Sequence, residues 1–392
     1  MFIKVLKGWL MPVCLVLATL AFTLGGWWLW APALGLMAVF MLGDWLLPHD
    51  MSPSIPSESA LFNLPIYTIL PLLVVMNAVL LWTFGTGDFA NLGEWLRQAT
   101  GLDLFAAREA TTSWVQWAGA VFSAGLLNAT AGTVAGHELT HRTSRAFDMF
   151  VGRWLLTFTA DTSFAIEHVY GHHARVATPD DPATARRGEG FYAFAWRSTI
   201  YSYVHAFQLE RARLAKFGKS VWNPVASPFM RGNLQNLVPA IAAFALAGWA
   251  GFALWLVIAL VGKEMLEFQN YFAHYGMVRV PGTPVQPRHS WNSTHWMSTN
   301  VLYSLARHSH HHAEADAPYW TLKAMPDAPT LPVGYLTMMP IAMVPPLFKW
   351  VMTPALNEWD RRYATPAERE LARAASLKSG MSGLELATPQ AA

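Results

Sequence analysis

The sequence is poor in cysteine and in charge. Its 392 residues include one cysteine, Cys14, so this chain alone forms no disulfide and no cysteine-ligated zinc or iron–sulfur site. Charged residues make up 13% of it, against about 25% in average soluble domains, and 53% of its residues are hydrophobic. This composition predicts a polytopic membrane protein. The net charge of +2 gives no sign of a nucleic-acid partner, and we expect none.

Long uncharged runs predict about six membrane-spanning helices, because roughly 20 apolar residues cross the bilayer core. The run 234–262 would form a helix of about 43 Å, and Gly248 and Gly251 allow a hairpin instead. The first run follows Lys4 and Lys7 and is too long for a signal peptide, so it is expected to stay in the protein. The predicted spans are 8–30, 31–47, 64–84, 114–136, 234–248 and 251–274.

Other apolar stretches are not expected to span. Residues 150–166 contain Arg153 and Asp161, which favour a helix beside the site or in the interface. A short helix is expected near Pro366, with disorder after Ser379. The predicted fold is an all-α membrane bundle with a helical, histidine-rich cytoplasmic cap. Its regions are 1–136 (four spans), 137–233 (histidine-rich), 234–274 (two spans) and 275–392 (histidine-rich, with the tail).

The distribution of lysine and arginine predicts the orientation. Region 137–233 has 12 of these residues and region 275–392 has 10, whereas the intervening loop 85–113 has two. Cytoplasmic loops carry the excess of positive charge. Both termini and all histidine motifs are therefore expected on the cytoplasmic side of the inner membrane.

Histidines are concentrated in four short motifs: HELTH at 137–141, EHVYGHH at 167–173, NYFAHYG at 270–276 and HSHHH at 308–312. Three pairs of them are four residues apart, which places each pair on one face of a helix. Imidazole is the commonest protein metal ligand, and burying so many rings without a metal would be costly. An all-nitrogen set suits iron, zinc, copper or nickel, and nine ligands are too many for one tetrahedral ion. The candidate ligands are His137, His141, His168, His172, His173, His274, His308, His311 and His312.

Two other classes of protein are consistent with part of this pattern. The first motif is also HExxH, in which Glu138 would be the general base of an intramembrane zinc protease. That reading leaves seven histidines unexplained. A metal transporter would place its ligands near the bilayer midplane, whereas these histidines fall at span ends and in the cytoplasmic regions.

Together the motifs resemble those of the membrane-bound fatty acid desaturase/hydroxylase superfamily, especially its alkane 1-monooxygenases and the membrane subunit of xylene monooxygenase. HELTH and NYFAHYG are similar to both groups. EHVYGHH with the following VATPDDPA at 176–183, and RHSHHHA at 307–313, resemble the alkane group. WDRRYATPAERELA at 359–372 resembles the xylene group. One difference is His310, where alkane enzymes usually have an acidic residue.

The resemblance implies two non-haem iron ions held by the nine histidines. Such a centre would use O₂ and two electrons to hydroxylate a methyl C–H bond of an alkane or alkyl-aromatic hydrocarbon. A fused rubredoxin would need four cysteines, so the electron donor, a rubredoxin or a ferredoxin-type reductase, is expected to be a separate protein. A fatty-acyl desaturase on the same scaffold is the alternative reaction.

Some charged residues are candidates for supporting roles. Carboxylates often orient metal-bound histidines, and Glu264 and Glu267 precede His274 on a predicted span, where ionisable groups are functional candidates. The full set of candidate carboxylates is Glu138, Glu167, Asp180, Asp181, Glu264 and Glu267. Arg175, Arg186 and Arg187 are either part of a docking surface for the donor or ordinary solvated loop charges.

Overall fold

The computed structural model describes residues 2–55 and 60–385, and helices dominate these ranges. One isolated β-bridge, Asn292–Thr330, is the only strand pairing within them. The α-helices are α1 (Phe2–Gly8), α2 (Leu10–Leu24), α3 (Ala31–Leu46), α4 (Ala60–Phe84), α5 (Leu92–Thr100), α6 (Leu104–Ala110), α7 (Trp114–Leu127), α8 (Val134–Thr140), α9 (Ala146–Leu156), α10 (Phe164–Ile166), α11 (His173–Arg175), α12 (Phe191–Ala215), α13 (Pro228–Ala273), α14 (Trp296–Val301), α15 (His308–Ala313), α16 (Tyr335–Ala342), α17 (Pro345–Glu358) and α18 (Pro366–Ser379).

Five helical stretches are long and apolar enough to cross a membrane: Phe2–Leu24, Gly26–Leu46, Ala60–Phe84, Trp114–Thr140 and Pro228–Ala273. The predicted all-α membrane bundle is confirmed. The number of crossings and the division of the chain at residues 136, 233 and 274 stay predictions.

Helix α13 is a hairpin rather than one straight helix. Its backbone breaks at Ala247 and at Gly248, whose φ of 61° is a conformation that favours glycine. Both arms return to the same loop, because Asn236 donates to the Ala160 carbonyl at 3.0 Å and Lys263 donates to Asp161 at 2.7 Å. The predicted break is confirmed, although the first arm begins at Pro228 instead of residue 234.

The predicted limits of the first span, 8–30, are wrong. The helical stretch is Phe2–Leu24 and contains both lysines that were expected to precede it. Lys4 donates to the Trp320 carbonyl at 2.8 Å and Lys7 to Asp50 at 2.7 Å, so both charges have partners at the helix start. Gly25, with a φ of 64°, ends the helix.

Two further expectations concern the stretch 150–166 and the C-terminal segment. The stretch 150–166 is not one helix: α9 ends at Leu156, and Ala160 turns the chain with a φ of 52° before α10. The helix at Pro366 is present, and its N-terminal Thr365 and Glu368 cap each other's backbone. Residues 380–385 are ordered, since Asn357 donates to the Gly383 carbonyl at 2.9 Å. The rest of the predicted disordered tail lies outside the described residues.

The segment that leads to the first histidine motif is packed on all sides. Glycines let neighbouring elements approach it closely: a Cβ at Gly119 would lie 2.5 Å from the Trp30 ring, and one at Gly136 would lie 3.1 Å from the Gly152 carbonyl oxygen. Small residues at helix interfaces are typical of membrane proteins. This packing fixes the position of α8, the helix that carries His137.

Candidate metal centre

The first histidine motif extends from α8. His137 lies on the helix, and His141 directly follows it with helical backbone angles. Glu138 is turned away from these rings: Arg142 donates to it at 2.6 Å, and the Tyr319 backbone N–H donates to it at 3.2 Å. The carboxylate of the HExxH pattern is therefore buried and held in an ion pair through its Oε1.

The second motif lies on a wide turn, Glu167–His172, with the i to i+5 spacing of a π-helix. This turn changes which rings meet. His173 and His168, five apart, bring their Nε2 atoms to 3.1 Å, whereas His172 turns toward other partners. His168 and His172, although four residues apart, therefore have different nearest partners.

His172 is oriented by a carboxylate. Its Nδ1 lies 2.9 Å from Asp181, which is itself held by the Thr184 hydroxyl at 2.6 Å and the Ala183 backbone N–H at 3.1 Å. Burial alone would lower the pKa of His172, but the carboxylates of Asp181, Glu167 and Glu267 together raise it. With Nδ1 engaged, Nε2 is the nitrogen that points into the centre.

The remaining histidines arrive from two other elements. His274 directly follows the second arm of α13, and the last three rings lie on α15. The start of α15 is anchored by Arg307, which is fully buried and donates to the Leu322 carbonyl and to Asp50 at 3.2 Å. Asp50 lies just after α3, so the N-terminal helices also position this motif.

All nine predicted histidines converge and are buried. We call the first group the five whose ligand nitrogens lie within 4.8 Å of one another: His137, His141, His168, His173 and His311. We call the second group His172, His274 and His312, which satisfy the same limit, together with His308. His308 belongs there because its Nε2 lies 3.0 Å from that of His274 and 3.1 Å from that of His312.

Hydrogen bonds among the rings do not satisfy these nitrogens. The Nε2 of His311 lies 3.0 Å from that of His137 and 3.1 Å from that of His173, yet a neutral imidazole carries one N–H. Both nitrogens of His141 and the Nε2 of His172 have no partner among the described residues. Converging, buried imidazole lone pairs are suited to bind a metal ion. Each of the two groups therefore fits one metal ion.

Burial keeps most of these rings neutral. It lowers the pKa of His168, His173, His311 and His312 well below the ordinary histidine value, with neighbouring rings adding to the effect. Neutral imidazole is the form that binds metal. The centre therefore needs no deprotonation of these rings at neutral pH before a cation enters.

Among the predicted carboxylates, Asp181 alone contacts a candidate ligand in the described residues. Glu167 instead lies 3.1 Å from His205, Glu267 pairs with Lys263 at 2.8 Å, and Asp180 is exposed. Arg187 was expected at the surface, and this prediction is wrong: Arg187 is buried in an ion pair with Asp360. That pair also joins the C-terminal segment to the loop that follows the second histidine motif.

An apolar chamber lies beside the first histidine group, and His137 forms part of its wall. Its wall comes mainly from the α7–α8 segment, the second arm of α13 and residues 302–339. These segments are far apart in the sequence, so no local sequence pattern predicts that they meet. The lining residues are Ala129, Thr130, Thr133, Val134, His137, Phe164, Met265, Leu266, Gln269, Phe272, Leu302, Leu305, Tyr335, Leu336 and Met339. Among them, sequence reasoning identified His137 alone.

Comparison with known proteins agrees with this geometry. The family model for fatty acid desaturase matches residues 112–342, more than half of the chain. The chain is 33% identical to alkane 1-monooxygenase 1 of Pseudomonas aeruginosa over 84% of each protein. It is 30% identical to XylM, the hydroxylase component of xylene/toluene monooxygenase of Pseudomonas putida, over 96% of this chain and 95% of the relative.

A third relative, alkane 1-monooxygenase 1 of Alcanivorax borkumensis, is 38% identical over 60% of this chain and 59% of its own length. The matched family region contains all four histidine motifs. With the long apolar helices, these relatives identify an integral membrane protein. The chain belongs to the fatty acid desaturase family.

Proposed function

We propose that the protein is a membrane monooxygenase that hydroxylates a methyl C–H bond of an alkane or an alkyl-aromatic hydrocarbon. The observation that carries this proposal is the chamber: its apolar wall includes His137, one of the nine converging histidines. An apolar substrate that dissolves in lipid fits such a chamber, and relatives at 30–38% identity are named for alkane and xylene/toluene oxidation.

Two iron ions are the metals we propose, one in the first group and one in the second. The all-imidazole donor set suits iron, and the family membership favours it over zinc, copper or nickel. Bound iron would supply the oxygen activation, so that one oxygen atom enters the C–H bond and the other leaves as water. The protein's own part is to hold neutral rings in place and to keep water from the reacting carbon.

The zinc protease alternative loses support from Glu138. A general base must be free to take a proton from water, but this carboxylate is bonded to Arg142 at 2.6 Å and to the Tyr319 backbone N–H. A desaturase on the same scaffold stays the alternative reaction, favoured by the description of the family model.

The chain needs an electron donor from outside. Its 392 residues contain a single cysteine, so it cannot form the four-cysteine iron site of a rubredoxin. We propose a separate rubredoxin or ferredoxin-type reductase. It would act on the cytoplasmic side of the inner membrane, where the excess of lysine and arginine places the two histidine-rich regions and both termini.

Metal and product analysis of the purified protein tests this function. We expect about two irons per chain, and 1-octanol or 4-methylbenzyl alcohol from octane or p-xylene when a reductant and donor are supplied. His312→Ala should lose iron and activity, whereas His49→Ala, which changes an exposed ring outside both groups, should lose neither. An olefin product would support the desaturase, and one zinc with peptide cleavage would support the protease.

A further inference from the structure

A cleft beside α9 combines two arginines with an apolar wall. It lies between α9 and the start of the first arm of α13, where Arg153 donates to the Pro228 carbonyl at 2.8 Å. Arg231 lies just before the uncharged run 234–262, so the cleft lies next to the start of a membrane-spanning stretch. We call it the arginine cleft, and its lining residues include Phe150, Arg153, Trp154, Arg231, Leu234 and Val238.

Neither arginine of the cleft has a carboxylate partner in the part of the chain that the structure describes. Arg153 is partly buried, and the Pro228 carbonyl is its only hydrogen-bond acceptor among these residues. Arg231 donates to the Pro224 carbonyl at 3.3 Å and to the Val225 carbonyl at 2.6 Å. No aspartate or glutamate of the described ranges lines the cleft. Most of the N–H groups of the two guanidinium groups are therefore free to bind a ligand.

The charges around the cleft leave it positive. Glu210 acts on Arg153 electrostatically, but both of its oxygens accept hydrogen bonds from Arg213. Burial lowers the pKa of Arg153 to about 10, and the like charge of Arg231 adds to this effect. Arg153 therefore stays charged at neutral pH. A partly buried cation that no carboxylate neutralises is unfavourable, so the cleft is suited to an anion.

The rest of the cleft is apolar and continues onto the exposed surface of the first arm of α13. Phe150 is 56% exposed, and Leu234 and Val238 are each 48% exposed. The Trp154 ring lies 6.3 Å from that of Phe150 between centroids, and aromatic rings of this kind favour the membrane–water interface. The side-chain oxygen of Gln235, which also lines the cleft, has no partner among the described residues. A ligand that fits has an anionic head, a hydroxyl group and an apolar body.

We propose that the arginine cleft binds an anionic phospholipid with a hydroxylated headgroup, whose phosphate lies between Arg153 and Arg231. Its acyl chains lie along Phe150, Leu234 and Val238. The guanidinium group donates parallel N–H bonds that match the oxygens of a phosphate. Basic pockets between membrane helices are typical of sites for anionic lipid headgroups. The cleft shares no lining residue with the chamber beside His137, so this site does not depend on the proposed oxidation.

Native mass spectrometry of the full chain tests this site. The protein is released from mixed micelles that contain equal amounts of phosphatidylglycerol and phosphatidylcholine, and the lipids that stay bound are counted. We expect wild-type protein to retain phosphatidylglycerol in preference. Arg153→Gln and Arg231→Gln should each lower the ratio of retained phosphatidylglycerol to phosphatidylcholine by about fivefold. Arg211→Gln, which removes an exposed charge of α12 outside the cleft, is the matched control and should leave the ratio unchanged.

Two outcomes of this measurement would overturn the lipid site. Equal loss in all three variants would show that a basic surface attracts anionic lipid without a specific cleft. An unchanged ratio in Arg231→Gln would show that the cleft does not select the anionic headgroup. Arg231 is exposed and donates only to carbonyls of the preceding loop, so its variant decides the question even where Arg153→Gln fails to fold.

Competition with a free anion is the second measurement. Inorganic phosphate carries the same charged group without an apolar body, so we expect it to leave the retained phosphatidylglycerol in place. Displacement of the lipid by an equal concentration of inorganic phosphate would show that the cleft binds a free anion, and the lipid assignment would be wrong.

Discussion

Two apolar helical stretches each deliver histidines to the centre, yet they face different surroundings. In Trp114–Thr140, 83% of the most apolar stretch is buried, whereas in Pro228–Ala273 the corresponding value is 28%. The first carries many small residues and ends in His137 and His141. The second presents large side chains outward, among them Ile241 at 63% and Leu260 at 55% exposure.

The comparison teaches that apolarity alone does not distinguish a helix that faces protein from one that faces lipid. The position of small residues matters more than their number, because residues 240–262 of the second stretch are also rich in glycine and alanine. In Trp114–Thr140 the glycines face neighbouring elements closely, as at Gly119 and Gly136. One histidine-bearing helix is therefore held by packing on all sides. The other packs along one face only, where Gly262 lies against Gly125 of the first stretch, and leaves its opposite face exposed.

The largest effect is expected from removing a ligand at the end of either stretch. His141→Ala affects the first group and His274→Ala the second. Since changing a partner of a ligand already costs about 10–100-fold, loss of a ligand should lower hydroxylation by at least roughly 100-fold. Iron should fall from about two to about one per chain in each variant, measured by elemental analysis. Full iron content in either variant would contradict the division into two groups.

The next largest difference is expected when a leucine in each stretch is shortened to alanine and the loss of unfolding free energy is compared. Leu127 is completely buried, so Leu127→Ala should cost about 2–5 kcal/mol of unfolding free energy, because the lost contacts are not replaced. The same change at Leu260, which is 55% exposed, should cost no more than about 0.5 kcal/mol. Unfolding in mixed micelles measures both. Similar costs would mean that the outward face of α13 is covered by protein.

The third prediction concerns a methyl group added within the buried stretch Trp114–Thr140. In Gly119→Ala the new methyl group would lie 2.5 Å from the Trp30 ring, whose Nε1 is fixed by a 2.9 Å bond to the Val115 carbonyl. We expect a cost of about 1–3 kcal/mol. Gly35→Ala, also within a helix but with no neighbouring atom within 4 Å, is the matched control and should be neutral or stabilising by up to about 1 kcal/mol in the same unfolding measurement. A neutral Gly119 variant would show that close packing is not what encloses this helix.

The smallest effect on iron content and product is expected at the hairpin turn. Gly248 has open space around it, but its φ of 61° with a ψ of −155° strongly favours glycine, so Gly248→Ala adds backbone strain of about 1–3 kcal/mol without a clash. Iron content and product should stay as in the wild type, because the turn is far along the chain from His274. A large loss of iron would indicate that the turn also positions the metal centre.

Local patterns predicted much of this protein, and their failures have a common cause. The break at Gly248, the helix at Pro366 and the convergence of nine histidines all follow from residue type and spacing within short windows. Arg187 was taken for a surface charge because its partner, Asp360, is 173 residues away. For Glu138, the partner Arg142 lies four residues away and could be read from the sequence, whereas the Tyr319 backbone N–H comes from 181 residues away.

The sequence by itself determined the metal-binding chemistry and the membrane class, because imidazole ligands and long apolar runs are properties of the residues themselves. Only the tertiary structure decided how the ligands divide. The wide turn at 167–172 sets His168 beside His173 and sends His172 to the other group, since a ring's direction depends on backbone geometry. The apolar chamber beside His137 is likewise a product of packing between distant segments.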